Sequence, residues 1–259
     1  MIEFLKNIKE VFYDFIGYIL PGFFALIVLL LPLSIRKFNS PIYSIIYMLN
    51  FPQDIPPLSL YTSLFKNYIL VLLASFLLGH IFNGLGNKLC KYKIFKSIIN
   101  VSVQSDRENV DFKFSYLSKL KNECWNLIKN NSNIPISIFS EENVDLDINK
   151  SLLITYATTN SRFESANNLI QKYISKTNMY ASLCCITFLL MLNTIFSGIY
   201  IMFNISTLKY NSNLTLISLI CFFMFFYTLF TVFYNEFYRH TKLKEKECYF
   251  FIMNKLSNK

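Results

Sequence analysis

Phe15 to Ile35 reads FIGYILPGFFALIVLLLPLSI, with no Lys, Arg, Asp, Glu or His in it. A helix needs about 20 mainly apolar residues to cross roughly 30 Å of hydrocarbon, and this stretch has that length and composition. Three more runs match it: Tyr68–Leu85 (YILVLLASFLLGHIFNGL), Asn178–Phe203 and Leu214–Phe233. Any one of them alone reads as well as a buried core helix. Four in one chain, with the charges confined to the gaps, favour a membrane. Lys6 and Lys9 precede the first run as in a signal peptide, but the run is too long for that. Ser34-Ile35-Arg36-Lys37-Phe38 after it offers no small-residue cleavage site, so the run is read as a retained span.

Basic residues set the expected orientation, because cytoplasmic loops of membrane proteins carry an excess of Lys and Arg. Residues 88–177 hold 13 basic against 9 acidic residues, and 235–259 hold 6 against 3. The loop 36–67 holds Arg36, Lys37 and Lys66, and the loop 204–213 only Lys209. The middle segment, the tail and both termini are therefore expected in the cytoplasm, and the two short loops outside. An even number of spans agrees with this.

The expected fold is all-α: a four-helix transmembrane bundle with an N-terminal amphipathic helix and a helical cytoplasmic region. The chain divides at 1–89 (amphipathic helix and two spans), 90–177 (cytoplasmic region), 178–234 (two spans) and 235–259 (basic tail helix). Within 2–15, Ile2, Leu5, Ile8, Phe12 and Phe15 share a face at helical spacing. In the middle segment, Leu117, Leu120, Cys124, Leu127 and Ile128 line one face of a helix over about 112–130. Asn130-Asn131-Ser132-Asn133 then reads as a stop, and Ile134–Phe139 as a short extended stretch. Phe163, Ala166, Leu169, Ile170, Tyr173 and Ile174 make a second face. No Gly or Pro falls between Ser151 and Ser197, so that helix is expected to run on into the third span or to join it after a brief bend. The fourth span likewise runs into a tail whose apolar positions are Phe237, Leu243, Tyr249, Phe250, Ile252 and Leu256.

Polar groups inside spans are costly and often functional. The candidates are Asp14, Tyr18, Pro21 and Gly22 in the first run, His80 and Asn83 in the second, and Asn193 in the third. His80 and Asn83 share a face and could bond Asp14 or line a water path; an ordinary helix–helix bond explains them equally. Asn193, Thr194 and Ser197, and Thr228 with Thr231, form polar strips that suit either a pore lining or bundle packing. Lys88, Lys91, Lys93, Lys96, Arg239, Lys242 and Lys244, interleaved with aromatics, suit an anionic lipid or nucleotide ligand. Positive charge that merely sets topology explains most of them too. The six cysteines show no CxxC spacing and no His at ligand distance, so no metal and no cofactor is expected. They read as reduced thiols acting as small apolar groups. No GxSxG, HExxH, P-loop or GxGxxG occurs, and the chain is not expected to be an enzyme.

Asp14-x-x-Gly17-Tyr18-x-x-Pro21-Gly22 opening the first span, with Gly79-His80 late in the second, resembles membrane components of bacterial anti-phage defence systems, of the Hailong and Kiwa types. The resemblance covers about thirty residues and the overall architecture. It implies an oligomeric inner-membrane effector or sensor. In the Hailong-like case this is an ion channel controlled by a nucleotide-derived ligand, and in the Kiwa-like case a non-conducting sensor that recruits a cytoplasmic DNA-binding partner. Four helices leave little room for a water path in one copy, so a pore implies a homo-oligomer, a tetramer being the simplest guess. Other expected partners are membrane lipids and a cytoplasmic protein or oligonucleotide ligand.

Overall fold

The structure, a computed structural model, describes residues 12–34, 66–91, 115–130, 153–158, 166–203 and 212–257. Among these every extended element is a helix, in agreement with the all-α reading. Most of the amphipathic segment 2–15, the loop 36–65, the stretch Ile134–Phe139, Lys93 and Lys96 lie outside the described residues.

The first span begins with a π-helical turn, Phe15–Ile19, and continues as α1, Leu20–Ser34. The wide turn has a local cause. Pro21 has no N–H, and its ring would press on the carbonyl of Gly17 in a regular helix. Opening the preceding turn relieves that contact, and the Leu20 N–H donates to the Phe15 carbonyl, five residues back. The other helices are α2 (Tyr68–Lys91), α3 (Leu117–Asn130), α4 (Ala166–Phe203) and α5 (Ser212–Ser257). Asn67 caps α2: its side-chain oxygen accepts the Leu70 N–H at 3.3 Å. Lys88 and Lys91 stand in the last turn of α2, where they complement the negative end of the helix dipole.

Among the described residues three helices are long and apolar enough to cross a membrane: Tyr68–Lys91, Asn168–Ile199 and Leu216–Leu256. The first run forms a shorter apolar helix over Phe12–Val28. The expected continuations are present. At 1.5 Å per residue α4 is about 57 Å long and α5 about 69 Å, each roughly twice the hydrocarbon thickness.

The chain forms two compact units. The first holds residues 1–101 and 178–237, and so all the apolar runs. Half of the apolar window of α4 is buried, against 22% for α2 and 17% for α5. The α4 helix is therefore the most buried of the three, while fewer residues of α2 and α5 are buried.

Glycines set how closely the helices of this unit meet. A Cβ on Gly22 would lie 1.7 Å from the Ser75 carbonyl oxygen of α2. One on Gly79 would lie 2.0 Å from the Tyr18 carbonyl oxygen, and one on Gly86 1.9 Å from that of Ala181 in α4. These are backbone-to-backbone contacts of the kind small residues permit inside membranes. A Cβ on Gly84 meets nothing within 4 Å.

The second unit holds residues 102–177 and 238–259. Its core is built by Leu117 and Cys124 of α3, Leu153 and Ala157, Ile170 of α4, and Cys248, Tyr249, Phe251, Ile252 and Leu256 of α5. Leu120 and Leu127 pack against it. Two expected face positions fall outside this core. Leu169 and Phe250 are exposed, and Cys248 and Phe251 take the places next to Tyr249. Phe250 lies beneath the Lys246 ammonium instead, 5.5 Å from it. The Cys124 thiol donates to the Tyr249 carbonyl at 3.3 Å. Burial first, and the neighbouring Glu123 second, push its pKa up to about 12, so it stays a neutral core group at physiological pH.

The glycine contacts yield a graded prediction. Gly22→Val and Gly86→Val force backbones apart and should each destabilise the folded protein by about 1–3 kcal/mol or more. Gly84→Ala should be neutral within about 0.5 kcal/mol, since its space is open. Ser75→Ala removes a fully buried hydroxyl that has no hydrogen-bond partner, and should be neutral or stabilising. Thermal unfolding of the purified variants in detergent checks the order.

Candidate functional site

The two short motifs, far apart in sequence, meet where the first span crosses α2. Gly22 lies on Ser75 and Gly79, and Gly79 lies on Tyr18. This brings the Tyr18 ring over the His80 imidazole, stacked at 3.8 Å between centroids with a 14° tilt. Phe76, one turn before His80, meets the imidazole edge-on at 4.4 Å. The Asn178 amide of α4 donates to the Tyr18 hydroxyl at 2.8 Å. The Ser182 hydroxyl, one turn further along α4, reaches the Gly79 carbonyl at 3.4 Å and that of Asn178 at 3.0 Å. Three helices are thus joined through one tyrosine and one glycine. Asn178, Phe76 and Ser182 carry no motif of their own, and the sequence did not single them out as site residues.

Of the readings open to His80 and Asn83, a bond to Asp14 is not what forms. Asp14 is exposed at the start of the π turn, without a side-chain capping bond. His80 takes Tyr18 and Phe76 as its partners. Asn83 accepts from the Asn87 amide at 2.6 Å, along its own helix. Pro21 is buried, and it acts by shaping the π turn before it.

In the polar strips of the last two spans the threonine hydroxyls are taken up locally. Thr194 and Ser197 are buried, and the Thr194 hydroxyl donates to the Leu190 carbonyl at 2.8 Å. Asn193 is half-buried beside them. Thr228 and Thr231 donate to Met224 and Thr228 carbonyls on their own helix. A hydroxyl satisfied in this way needs no water.

The α2 helix differs. Leu70, Leu73, Leu77, His80, Gly84, Asn87 and Lys91 follow one another at alternating intervals of three and four residues, so they share a face. All but the half-buried Asn87 are exposed, Leu73 at 61% and Leu77 at 62%. Lys88 is exposed next to this face. The first half of the face is leucine. The second half is imidazole, open glycine backbone, amide and ammonium. His80 stands about 12 Å along the helix from Lys88. A polar row on an open face of a span is expensive against lipid.

Of the basic candidates, Lys88, Lys91 and Arg239 are exposed and Lys242 and Lys244 half-buried. Lys242 lies over the Tyr238 ring at 5.4 Å. Among the described residues no group of three or more His, Cys, Asp or Glu stands together as a metal site.

Tyr18→Phe and Asn178→Ala each break the bond between the first span and α4. Each should cost about 0.6 kcal/mol, and at most about 1.7, as polar contacts between membrane helices do. In the double variant the losses should not add. Unfolding of the three variants in detergent measures the coupling, and full additivity would mean the bond contributes nothing. No model of a known protein family, no curated protein and no solved structure matches this chain.

Proposed function

We propose that the protein is a multi-pass membrane effector that assembles from identical copies into an ion-conducting pore, lined by the open face of α2. The observation that carries this reading is the polar row His80, Gly84, Asn87 and Lys91 on an exposed face of a membrane helix. Turned inward in a ring of copies, that row faces water instead of lipid. Leu73 and Leu77 on the same face then form a hydrophobic constriction, which closes a pore by expelling water. The stack of Tyr18 on His80 and the contacts of Gly79 and Gly86 hold α2 against its neighbours. They are the contacts through which a movement of the first span or of α4 reaches the lining helix.

Control from the cytoplasm is part of the same reading. The basic middle segment and tail are its receiving surface, with Lys242, Lys244 and Arg239 facing a phosphate-bearing ligand or a partner protein. The inside placement of both termini rests on the charge distribution. The setting in anti-phage defence rests on the resemblance of the first two spans to Hailong- and Kiwa-type membrane components. The two motifs that carry that resemblance pack directly on each other. The protein acts by conduction and not as an enzyme.

Planar-bilayer recording of the purified protein tests this. Leu77→Asn wets the constriction and should give constant openings and slow growth of cells expressing it. Thr228→Val, on a helix whose hydroxyls are already satisfied, should leave conductance as it was. Absence of current from the wild type and from Leu77→Asn, with the protein folded, would sink the pore and favour the recruiting sensor. Reporter fusions at both ends should read cytoplasmic.

A further inference from the structure

Beside the polar row of α2 runs an apolar stripe that ends in charge. Leu77, Ile81, Leu85 and Lys88 follow one another at intervals of four, four and three residues, so they lie along one side of the exposed face. All four are exposed. Gly84 stands between Ile81 and Lys88, and a Cβ there meets nothing within 4 Å, so the stripe has a notch floored by bare backbone. Gly79 and Gly86 of the same helix are instead each filled by a neighbouring backbone. Lys91, the next turn on from Lys88, is exposed as well. Among the described residues neither lysine forms an ion pair, whereas Lys242, Lys246 and Lys255 each rest over an aromatic ring. Two full charges thus stand at a helix end whose dipole supplies only about half a negative charge, and a net positive charge remains. From Leu77 to Lys88 the helix rises about 16 Å. That is the depth of one leaflet in a hydrocarbon core of roughly 30 Å.

We propose that this stripe holds an anionic phospholipid, with its phosphate on Lys88 and Lys91 and one acyl chain along Leu85, Ile81 and Leu77. Each end of the site selects one end of the lipid. The two ammoniums attract a negative headgroup, and a zwitterionic lipid brings its own cation to the same place. The apolar stripe requires an attached chain, so a soluble anion meets only the lysines. A second copy laid stripe to stripe would bring four ammoniums together, which like-charge repulsion disfavours. The opposite side of α2, with Gly79, Gly86 and Cys90 buried, is already packed within the chain. The lipid therefore binds without opening any contact, and the site is complete in one copy.

The test uses the full chain, purified in detergent and stripped of lipid. It is titrated with phosphatidylglycerol or with phosphatidylcholine of the same chains, and bound lipid is counted by native mass spectrometry. Attraction of a basic residue to anionic lipid is worth about fivefold in affinity per lysine, so phosphatidylglycerol should bind about thirtyfold tighter. Lys88→Gln alone should lose about fivefold of that preference, and Lys88→Gln with Lys91→Gln all of it. Lys88→Arg with Lys91→Arg should keep it, as should Lys66→Gln, which changes an exposed lysine just before the other end of α2. Thermal unfolding without added lipid identifies the variants that fold. Equal binding of the two lipids to the wild type would overturn the proposal. So would an undiminished preference in either folded Gln variant. So would displacement of the bound lipid by an equal concentration of glycerol phosphate, which carries the phosphate without the chains. The readout is lipid binding, so its outcome is independent of whether the protein conducts.

Discussion

Direct backbone contact along α2 is the constraint on which the membrane unit depends. Inside a membrane, burying apolar surface between helices gains little, because lipid is as apolar as leucine. Association has to come from close packing and from polar bonds that form only when helices touch. Gly22, Gly79 and Gly86 remove the side chains that would hold the first span and α4 away from α2. Once the backbones meet, Tyr18 reaches both His80 and Asn178, and Ser182 reaches the Gly79 carbonyl. The aromatic stack and the two hydrogen bonds are consequences of the missing Cβ atoms.

The same contacts divide α2 into two sides. Ser75, Gly79, Gly86 and Cys90 face partners within the chain and are buried. Leu73, Leu77 and Gly84 face away, and His80 lies at the border, stacked on Tyr18 yet exposed on its other side. One helix thus carries a side fixed by packing and a side left for whatever the membrane or another copy supplies. The hydroxyls of α4 are taken up within their own helix, while α2 leaves His80 and Lys91 exposed.

The spans were legible in the sequence because twenty apolar residues in a row have few other uses. The continuity of α4 and α5 was legible from the lack of Gly and Pro. In the second unit Leu117, Cys124, Ile170, Tyr249, Ile252 and Leu256 were found from helical spacing, because a packed helix buries a stripe. Leu169 and Phe250 were misplaced because they border that stripe, where spacing alone does not fix the side on which a residue falls. Tyr18, Gly22 and His80 stood out as motif residues. Their partner Asn178 did not, since it lies 160 positions from Tyr18 and opens a span like any polar residue. The Thr strips suggested a lining because a sequence does not say whether a hydroxyl is already satisfied.

The π turn at Phe15–Ile19 has a consequence for how related chains would align. Such a turn holds one residue more than an α-turn. Loss of one residue there would restore a plain helix and leave Phe12–Asp14 in phase with α1, because the wide turn absorbs that residue within a single turn. The direction in which Asp14 and Phe12 point is therefore tolerant of that one-residue difference in length. Among related sequences, a one-residue gap just before Pro21 would mark a chain without the wide turn, not a different setting of Phe12–Asp14.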